Sequence, residues 1–219
     1  MKKAILLSAL AVAVSFTAIT AKAQQGFYIG AKTVRQLSVM FNKTDVDDPN
    51  TDYKSSVRGA FGVTAGYHFT KNAGVGTDLL YYTAKQTYTN HGLGYTQEYT
   101  NLKVPVLFTY NGNPDKKFMF TAKAGPQLGI NIKSKITGAD NSELNGSTND
   151  KYKKFTLGAM GGLGARMHLS NNLFLDAGLR FDGTFTNTEN KNYAGYQSGR
   201  AKTYDLNAGL EFGIKYFFN

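Results

Sequence analysis

The chain has 219 residues and a formal charge of +10, from 25 Lys and Arg against 15 Asp and Glu, and this length suits one domain. It contains no cysteine, which excludes disulfides, thiol chemistry and cysteine-ligated metals. A basic balance is compatible with nucleic acid or with an anionic surface. The sequence has no basic helix and no dense Lys/Arg cluster, so no nucleic-acid partner is expected.

The first segment, residues 1–23, is predicted to be a secretory signal peptide. Lys2 and Lys3 form a basic start, residues 4–20 are apolar or small, and Ala21-Lys22-Ala23 is a small-x-small cleavage site. An uncleaved helical anchor is the alternative, and the strand pattern that begins at Phe27 argues against it. Residues 24–219 are then predicted to form one domain.

The remainder of the chain is too often interrupted by charges to hold a transmembrane helix. Its longest stretch without Asp, Glu, Lys or Arg is 12 residues. A spanning helix needs about 20 apolar residues, whereas a spanning strand needs only about 9–11. Only strands therefore fit a membrane interpretation.

Alternation of apolar and polar residues with period two predicts eight strands. The first four are slightly irregular, since Leu80 and Tyr82 fall on the polar side. The apolar face of these four carries Phe27, Ile29 and Ala31; Val57, Phe61, Val63, Ala65, Tyr67 and Phe69; Val75, Leu79 and Tyr81; and Leu102, Val104, Val106, Phe108 and Tyr110.

The last four strands alternate more cleanly. In the final one, Asp205, Glu211 and Lys215 lie opposite a face that is entirely apolar or aromatic. The apolar face of these four carries Phe118, Phe120, Ala122, Ala124, Leu128, Ile130 and Ile132; Phe155, Leu157, Ala159, Leu163, Ala165 and Met167; Leu173, Leu175, Ala177, Leu179, Phe181 and Phe185; and Tyr204, Leu206, Ala208, Leu210, Phe212, Ile214, Tyr216 and Phe218.

Short and long connections alternate along the chain. Turn-type sequences lie near residues 70–72, 111–116 and 170–172. Long polar segments cover about residues 42–56, 87–97, 134–151 and 187–201. This alternation is typical of outer-membrane barrels, whose turns are short on the periplasmic side and whose loops are longer outside. The sequence therefore predicts an all-β fold, an eight-stranded antiparallel up-and-down transmembrane β-barrel with both termini in the periplasm.

The polar face of the strands favours a membrane barrel over a soluble, lipocalin-like barrel whose apolar face points inward. It carries several glycines, among them Gly158, Gly162 and Gly209, which leave room for long charged side chains in a narrow lumen. On a solvated face these glycines would only weaken the strands.

A network of charges is predicted inside the barrel. Its members are Lys103, Lys123, Arg166, Asp176, Arg180, Asp205, Glu211 and Lys215, together with Lys32, Arg58, Asp78 and Asp182. We expect Asp176 to pair with Lys215 or Arg166, and Arg180 with Glu211, because an unpaired charge in so narrow a space is costly. The expected role is structural. A narrow proton or small-ion path is the alternative.

No residue pattern indicates catalysis, a cofactor or a metal. His68 and His168 are expected to be solvated or interfacial near the short turns, and His91 lies in a long loop. Residues 158–164 resemble a phosphate loop only superficially, because they lack Gly-Lys-Ser/Thr. Five loop tyrosines could offer contact area at the rim of the barrel, and they are Tyr88, Tyr95, Tyr99, Tyr193 and Tyr196.

Several short motifs resemble the PorT-like outer-membrane β-barrel family of Bacteroidetes. They are Asn101-Leu102-Lys103-Val104-Pro105-Val106-Leu107-Phe108, Gly125-Pro126-Gln127-Leu128-Gly129, Asp176-Ala177-Gly178-Leu179-Arg180-Phe181 and the final strand, residues 209–218. The resemblance implies an outer-membrane barrel of the eight-stranded OmpA and OmpX type, without assigned activity, inserted by the barrel-assembly machinery. The terminal aromatic residue of such strands would be Phe218, although Asn219 follows it.

The leading functional hypothesis is a non-enzymatic barrel that stabilises the cell envelope or binds a surface ligand through its loops. Its expected partners are outer-membrane lipid, the barrel-assembly machinery during insertion and an unidentified surface ligand. The alternatives are a narrow ion or small-solute channel, a soluble lipocalin-like binder, and a membrane-embedded lipid-modifying enzyme that would need His91 at the rim.

Overall fold

The structure is a computed structural model that describes residues 25–90, 93–113, 116–138, 149–193 and 196–218. The predicted signal peptide lies outside these residues. No helix in the described part of the chain is long and apolar enough to cross a bilayer. The one short α-helix, α1 (Lys43–Asp47), begins where the side chain of Asn42 accepts a hydrogen bond from the backbone N–H of Thr44 at 2.9 Å.

Nine strands make up the sheet over the described residues. They are β1 (Gly26–Asn42), β2 (Thr51–Lys54), β3 (Ser56–His68), β4 (Ala73–Asn90), β5 (Leu93–Asn111), β6 (Phe118–Gly138), β7 (Phe155–His168), β8 (Leu173–Thr184) and β9 (Thr203–Phe217). Eight of them pair in a closed antiparallel ring, since β1 pairs with both β3 and β9, and β4 pairs with β5. The short β2 pairs with β4 and is not part of this ring. The predicted eight-stranded barrel is therefore confirmed.

The register shows how strongly the strands tilt. Paired residues can be followed from strand to strand around the ring. The path starts at Asn111 of β5, visits each of the seven remaining ring strands in turn and returns to β5 at Asn101, ten residues away. With about 3.3 Å per residue and about 4.8 Å between strands, this offset corresponds to a tilt of about 40°. Such a tilt is normal for transmembrane barrels.

The apolar face points outward, as predicted. Phe61, Phe185 and Leu210 are 64%, 67% and 50% exposed, while the charged residues of the opposite face are buried or half-buried. Water would disfavour so large an apolar exterior, whereas lipid tails accommodate it. The soluble lipocalin-like alternative requires the opposite orientation and is therefore wrong.

Several strands are longer than predicted at the end of the barrel that carries the long connections, here called the loop end. The prediction of a polar loop over residues 87–97 is wrong, because β4 and β5 remain paired as far as Asn90 and Leu93. Alternating Thr and Tyr residues have high strand propensity without being strongly apolar. The rings of Tyr88 and Tyr95 also stack across this hairpin, 5.0 Å apart.

One β-bulge interrupts the alternation. Thr100 pairs with Lys133 and Asn101 with Asn131, so that Ile132 has no partner in the register. Lys133 is consequently exposed rather than on the luminal side, where strict alternation had placed it.

Candidate functional site: lumen and rim

The end of the barrel with the short connections, here called the turn end, contains the first of three ion groups in the lumen. The lower ion group is Arg166, Asp176 and Lys215. Arg166 and Asp176 are cross-strand partners, and the guanidinium donates from Nε to Oδ1 at 2.6 Å and from Nη2 to Oδ2 at 3.1 Å. Lys215 Nζ lies 2.9 Å from the same carboxylate. Both pairings expected for Asp176 are present.

The middle ion group is built around Arg180, which is 1% exposed. Its Nη1 donates to Asp78 Oδ2 at 3.1 Å and to Glu211 Oε2 at 3.2 Å. Lys32 Nζ lies 2.8 Å from Asp78 Oδ1, and Lys123 contacts Glu211. The expected pair of Arg180 and Glu211 is present, and Asp78 and Lys32 extend it to β4 and β1.

The upper ion group lies nearer the loop end. Lys103 contacts Asp182, and its Nζ lies 3.2 Å from Asp205 Oδ2 and 3.8 Å from the ring centroid of Tyr82. Arg180 Nε also donates to Asp182 Oδ1 at 3.0 Å, which joins the upper and middle groups. All eight residues named for the luminal network therefore face the interior. Their structural role stays a prediction.

An aromatic plug closes the lumen at the turn end. It consists of Tyr28, His68, Met119, Phe174 and Phe217, all at most 2% exposed. Phe174 and Phe217 meet edge to face with ring centroids 5.1 Å apart. Sequence reasoning missed the plug, although inward-facing apolar residues beside the short turns are a visible signal.

The expectation of a solvated or interfacial His68 is wrong. Its side chain is fully buried and forms hydrogen bonds with Thr109 Oγ1 and Asn111 Nδ2, each at 3.2 Å. Its ring also packs edge-on against Tyr28, with centroids 5.6 Å apart. The flat imidazole of His68 fits this narrow part of the lumen, and its two nitrogens form hydrogen bonds with the neighbouring polar side chains. His168 is half-buried, with its ring 4.6 Å from that of Phe174.

Little open space remains between the ion groups. The cavity bordered by Lys123, Arg166, Asp176, Glu211 and Lys215 measures about 30 Å³. That volume is close to the space taken by one water molecule. This part of the lumen is thus largely filled by side chains.

A further charged cluster lies at the loop end. It consists of Asp45, Glu189 and Arg200 and is here called the rim latch. Arg200 donates from both terminal nitrogens to the two carboxylate oxygens of Asp45, each at 2.6 Å, and from Nε to Glu189 at 3.1 Å. Burial disfavours the charge of Arg200, but the bonds with Asp45 and the attraction of Glu189 outweigh this effect and raise the pKa of the guanidinium. The latch joins the connection after β1 to the connection before β9.

Backbone hydrogen bonds connect the described end of the β6–β7 connection, residues 149–154, to the segment that carries Glu189 of the latch. Lys153 N–H donates to Thr188 C=O at 2.8 Å, Asn190 N–H donates to Lys151 C=O at 2.8 Å, and Tyr152 forms an isolated bridge with Glu189. No periodic pattern relates these loop residues, so sequence analysis gave no signal for them. The described rim is consequently a connected structure rather than a set of separate solvated loops.

A polar cavity of about 150 Å³, here called the rim cavity, opens beside the latch. Its lining combines tyrosine rings, amides, Lys151 and two of the three latch residues, Glu189 and Arg200. The lining residues are Tyr95, Gln97, Lys151, Glu189, Asn190, Tyr193, Tyr196, Gln197 and Arg200. Burial lowers the pKa of Lys151, an effect that Glu189 only partly offsets.

Three of the five predicted rim tyrosines line this cavity. Tyr88 instead stacks on Tyr95. The prediction that Tyr99 contacts ligands at the rim is wrong, because its side chain is 1% exposed inside the barrel, with its ring 5.0 Å from that of Tyr152. His91 lies outside the described residues. No group of three potential metal ligands lies together in the part of the chain that the structure describes.

A closed strand ring with an apolar exterior and an ion-paired interior defines a transmembrane β-barrel. The chain belongs to the outer membrane protein beta-barrel domain family, whose sequence model matches residues 21–181. It is therefore an outer-membrane β-barrel protein. No curated protein matches the sequence.

Solved structures share the fold at low sequence identity. Neisserial surface protein A, NspA, is 14% identical with a TM-score of 0.51, and the match covers 89% of this chain and 98% of that one. OprG from Pseudomonas aeruginosa is 12% identical with a TM-score of 0.50, covering 90% and 97%. Outer membrane protein AlkL, determined in lipid bilayers, is 14% identical with a TM-score of 0.50, covering 94% and 96%.

Proposed function

We propose that this protein is a non-conducting, non-enzymatic barrel that binds a hydroxyl-rich ligand, such as a sugar residue, at the cell surface. The observation that carries the proposal is the rim cavity, which lies above a lumen packed with side chains. The packed lumen supplies a rigid base, and the rim latch holds the loops that form the cavity. Binding sites commonly lie on loops that a rigid scaffold positions.

The chemistry of the rim cavity suits a sugar. Its volume of about 150 Å³ is below the roughly 300–1,000 Å³ of typical ligand pockets, so it admits only a small group such as one sugar ring. Tyr95, Tyr193 and Tyr196 line the cavity and offer apolar ring surface for sugar C–H groups. One face of Tyr95 is already covered by Tyr88, and the hydroxyl of Tyr196 donates to Arg200 C=O at 3.2 Å.

The amide of Gln97 already accepts a hydrogen bond from Tyr152, and that of Asn190 already bonds Asp150 and Asn192. Each amide keeps a second lone pair and a second N–H that match hydroxyl groups acting both as donors and as acceptors.

Orientation and export complete the proposal. A cleaved signal peptide at residues 1–23 would place the mature chain in the periplasm for insertion by the barrel-assembly machinery. The turn end with both termini would then face the periplasm, and the rim would face outside, as short turns and long loops favour. Membership of the narrower PorT-like group, suggested by the motif at residues 101–108, belongs to this proposal as well.

The lumen is expected to conduct no ions. Folded protein in a planar bilayer should give no current steps in neutral buffer at moderate salt, because no chain of waters can pass the ion groups and the aromatic plug. The double variant Phe174→Ala, Phe217→Ala is the matched test. It removes two rings of the aromatic plug and keeps the ion groups, so it separates the effects of these two barriers on conduction. Reproducible unitary currents from the native protein would contradict a packed lumen and favour the channel alternative.

The rim cavity is expected to account for ligand binding. Folded protein, labelled and applied to an array of oligosaccharides, should bind a subset of them, and Tyr193→Ala should weaken that binding at least tenfold by removing one ring face. Tyr81→Ala is the matched control, since Tyr81 is 42% exposed on the lipid-facing side of β4. Heat-modifiable gel migration verifies that both variants fold. Binding to no oligosaccharide, or equal binding by the Tyr193 variant, would refute the proposal.

A further inference from the structure

Arg35 is a cation on the outward, apolar face of the barrel wall. Arg35 is exposed on the outward face of β1, and its cross-strand partners are Leu210 and Gly59. Within the described residues its guanidinium has no carboxylate at salt-bridge distance, unlike Arg166, Arg180 and Arg200. The function of the lumen and rim leaves this residue unexplained.

The depth of Arg35 can be estimated along its own strand. Phe27, at the start of β1, packs on Tyr67 with ring centroids 4.7 Å apart and marks the aromatic girdle at the turn end. Arg35 follows eight residues later, which corresponds to about 20 Å along the barrel axis at a tilt of about 40°. Because the apolar band is about 25 Å tall, Arg35 starts about 5 Å inside its far edge.

An arginine at this depth can reach the headgroups. Its apolar stem lies along the strand surface while the guanidinium extends toward the polar layer, and it need not remain in hydrocarbon. Gly59 beside it leaves the stem accessible, since a Cβ there would meet only the carbonyl oxygen of Val34, at 3.7 Å. Leu37 and Val57, which are 53% and 51% exposed, provide adjoining surface for acyl chains.

Exposed charges of both signs lie on the loop side of Arg35, since Asp47 and Asp52 belong to the same segment as two lysines. Lys43 follows directly after β1 and Lys54 ends β2, and both are exposed. A guanidinium that no carboxylate of the described residues neutralises, with apolar side chains around it, matches an anionic headgroup that carries acyl chains. Guanidinium binds phosphate through two parallel hydrogen bonds, which lysine cannot reproduce.

We propose that Arg35 binds the phosphate group of a phosphorylated lipid in the leaflet at the loop end. With the orientation proposed above, this is the outer leaflet. The site is independent of the rim cavity and of any surface ligand. In symmetric vesicles it is tested whichever way the barrel inserts.

The test measures thermal unfolding of the barrel in vesicles by heat-modifiable migration. Wild type, Arg35→Leu and Lys71→Leu are compared in neutral phosphatidylcholine and in the same lipid with added lipid A. Lys71 is an exposed lysine in a turn at the opposite end, so its variant loses an equal charge elsewhere. Lipid A should raise the midpoint of wild type and Lys71→Leu, whereas Arg35→Leu should lose at least half of that shift.

Two further arms identify the ligand. Lipid A without its phosphates, and inorganic phosphate added to neutral vesicles, should each leave the wild-type midpoint almost unchanged. Arg35→Lys should recover only part of the shift. A full shift in Arg35→Leu, an equal loss in Lys71→Leu, or the same shift with either phosphate control would overturn the assignment.

Discussion

Replacing Arg180 with leucine is expected to lower the free energy of unfolding of the barrel by about 3–5 kcal/mol, because removing one partner leaves buried charges uncompensated. Arg180 contacts three carboxylates, those of Asp78, Asp182 and Glu211, and it also donates to Gln127 Oε1 at 3.1 Å. The loss would be a large part of the roughly 5–15 kcal/mol that stabilises a typical protein. Urea unfolding in neutral-lipid vesicles, followed by tyrosine fluorescence, measures it.

The matched control for this prediction is Arg35→Leu, which makes the same substitution on the other side of the same wall. In neutral lipid it removes a charge that no carboxylate of the described residues balances, so the free energy of unfolding should stay the same or rise slightly. Adding Glu211→Gln to Arg180→Leu should recover part of the loss, because it removes one of the carboxylates left behind. Equal stability of wild type and Arg180→Leu would mean that the luminal ion groups do not brace the barrel.

The prediction of the barrel wall succeeded because lipid imposes one rule on every strand. A side chain that meets hydrocarbon must be apolar, so a shift by one residue would move Asp205, Glu211 and Lys215 into lipid. The alternating pattern therefore indicates both the strands and their faces. Depth alone predicted the ion pairs of Asp176 and the pair of Arg180 with Glu211. Residues at similar distances from the turns meet across neighbouring strands.

The remaining features depend on relations that alternation cannot express. A bulge at Ile132 changes which face Lys133 occupies, and only the pairing of β5 with β6 reveals it. The hairpin beyond the membrane is made of Thr and Tyr, whose strand propensity does not require lipid. The rim latch joins Asp45 to Arg200, 155 residues apart, through loops without periodicity.

The interior shows how a small barrel manages polar residues. Polar side chains of opposite charge face one another across the lumen in three layers, and the aromatic plug separates the lowest layer from the turn end. The lower group joins neighbouring strands, whereas the middle and upper groups also join strands that do not pair in the sheet. Side chains thus supplement the hydrogen-bonded ring, and the rim above receives a stiff support.

A charge placed on the outer wall is expected to act in the opposite sense from a luminal charge. Leu179, on the outward face of β8, is 47% exposed, pairs with Leu163 and Leu210 and lies near mid-height of the apolar band. Leu179→Lys should lower the free energy of unfolding in vesicles by about 2–4 kcal/mol, the cost of a lysine near the bilayer midplane.

The control for Leu179→Lys is Thr87→Lys. Thr87 is also exposed on the outward side, but it lies in the part of the β4 hairpin beyond the membrane. Water solvates a lysine there and weakens its repulsion from the cross-strand partner Lys54, so the expected loss is at most about 1 kcal/mol. Leu179→Ala separates the loss of side-chain packing from the cost of the charge. If both lysine variants lost equal stability, the outer wall of the barrel would not be in contact with hydrocarbon.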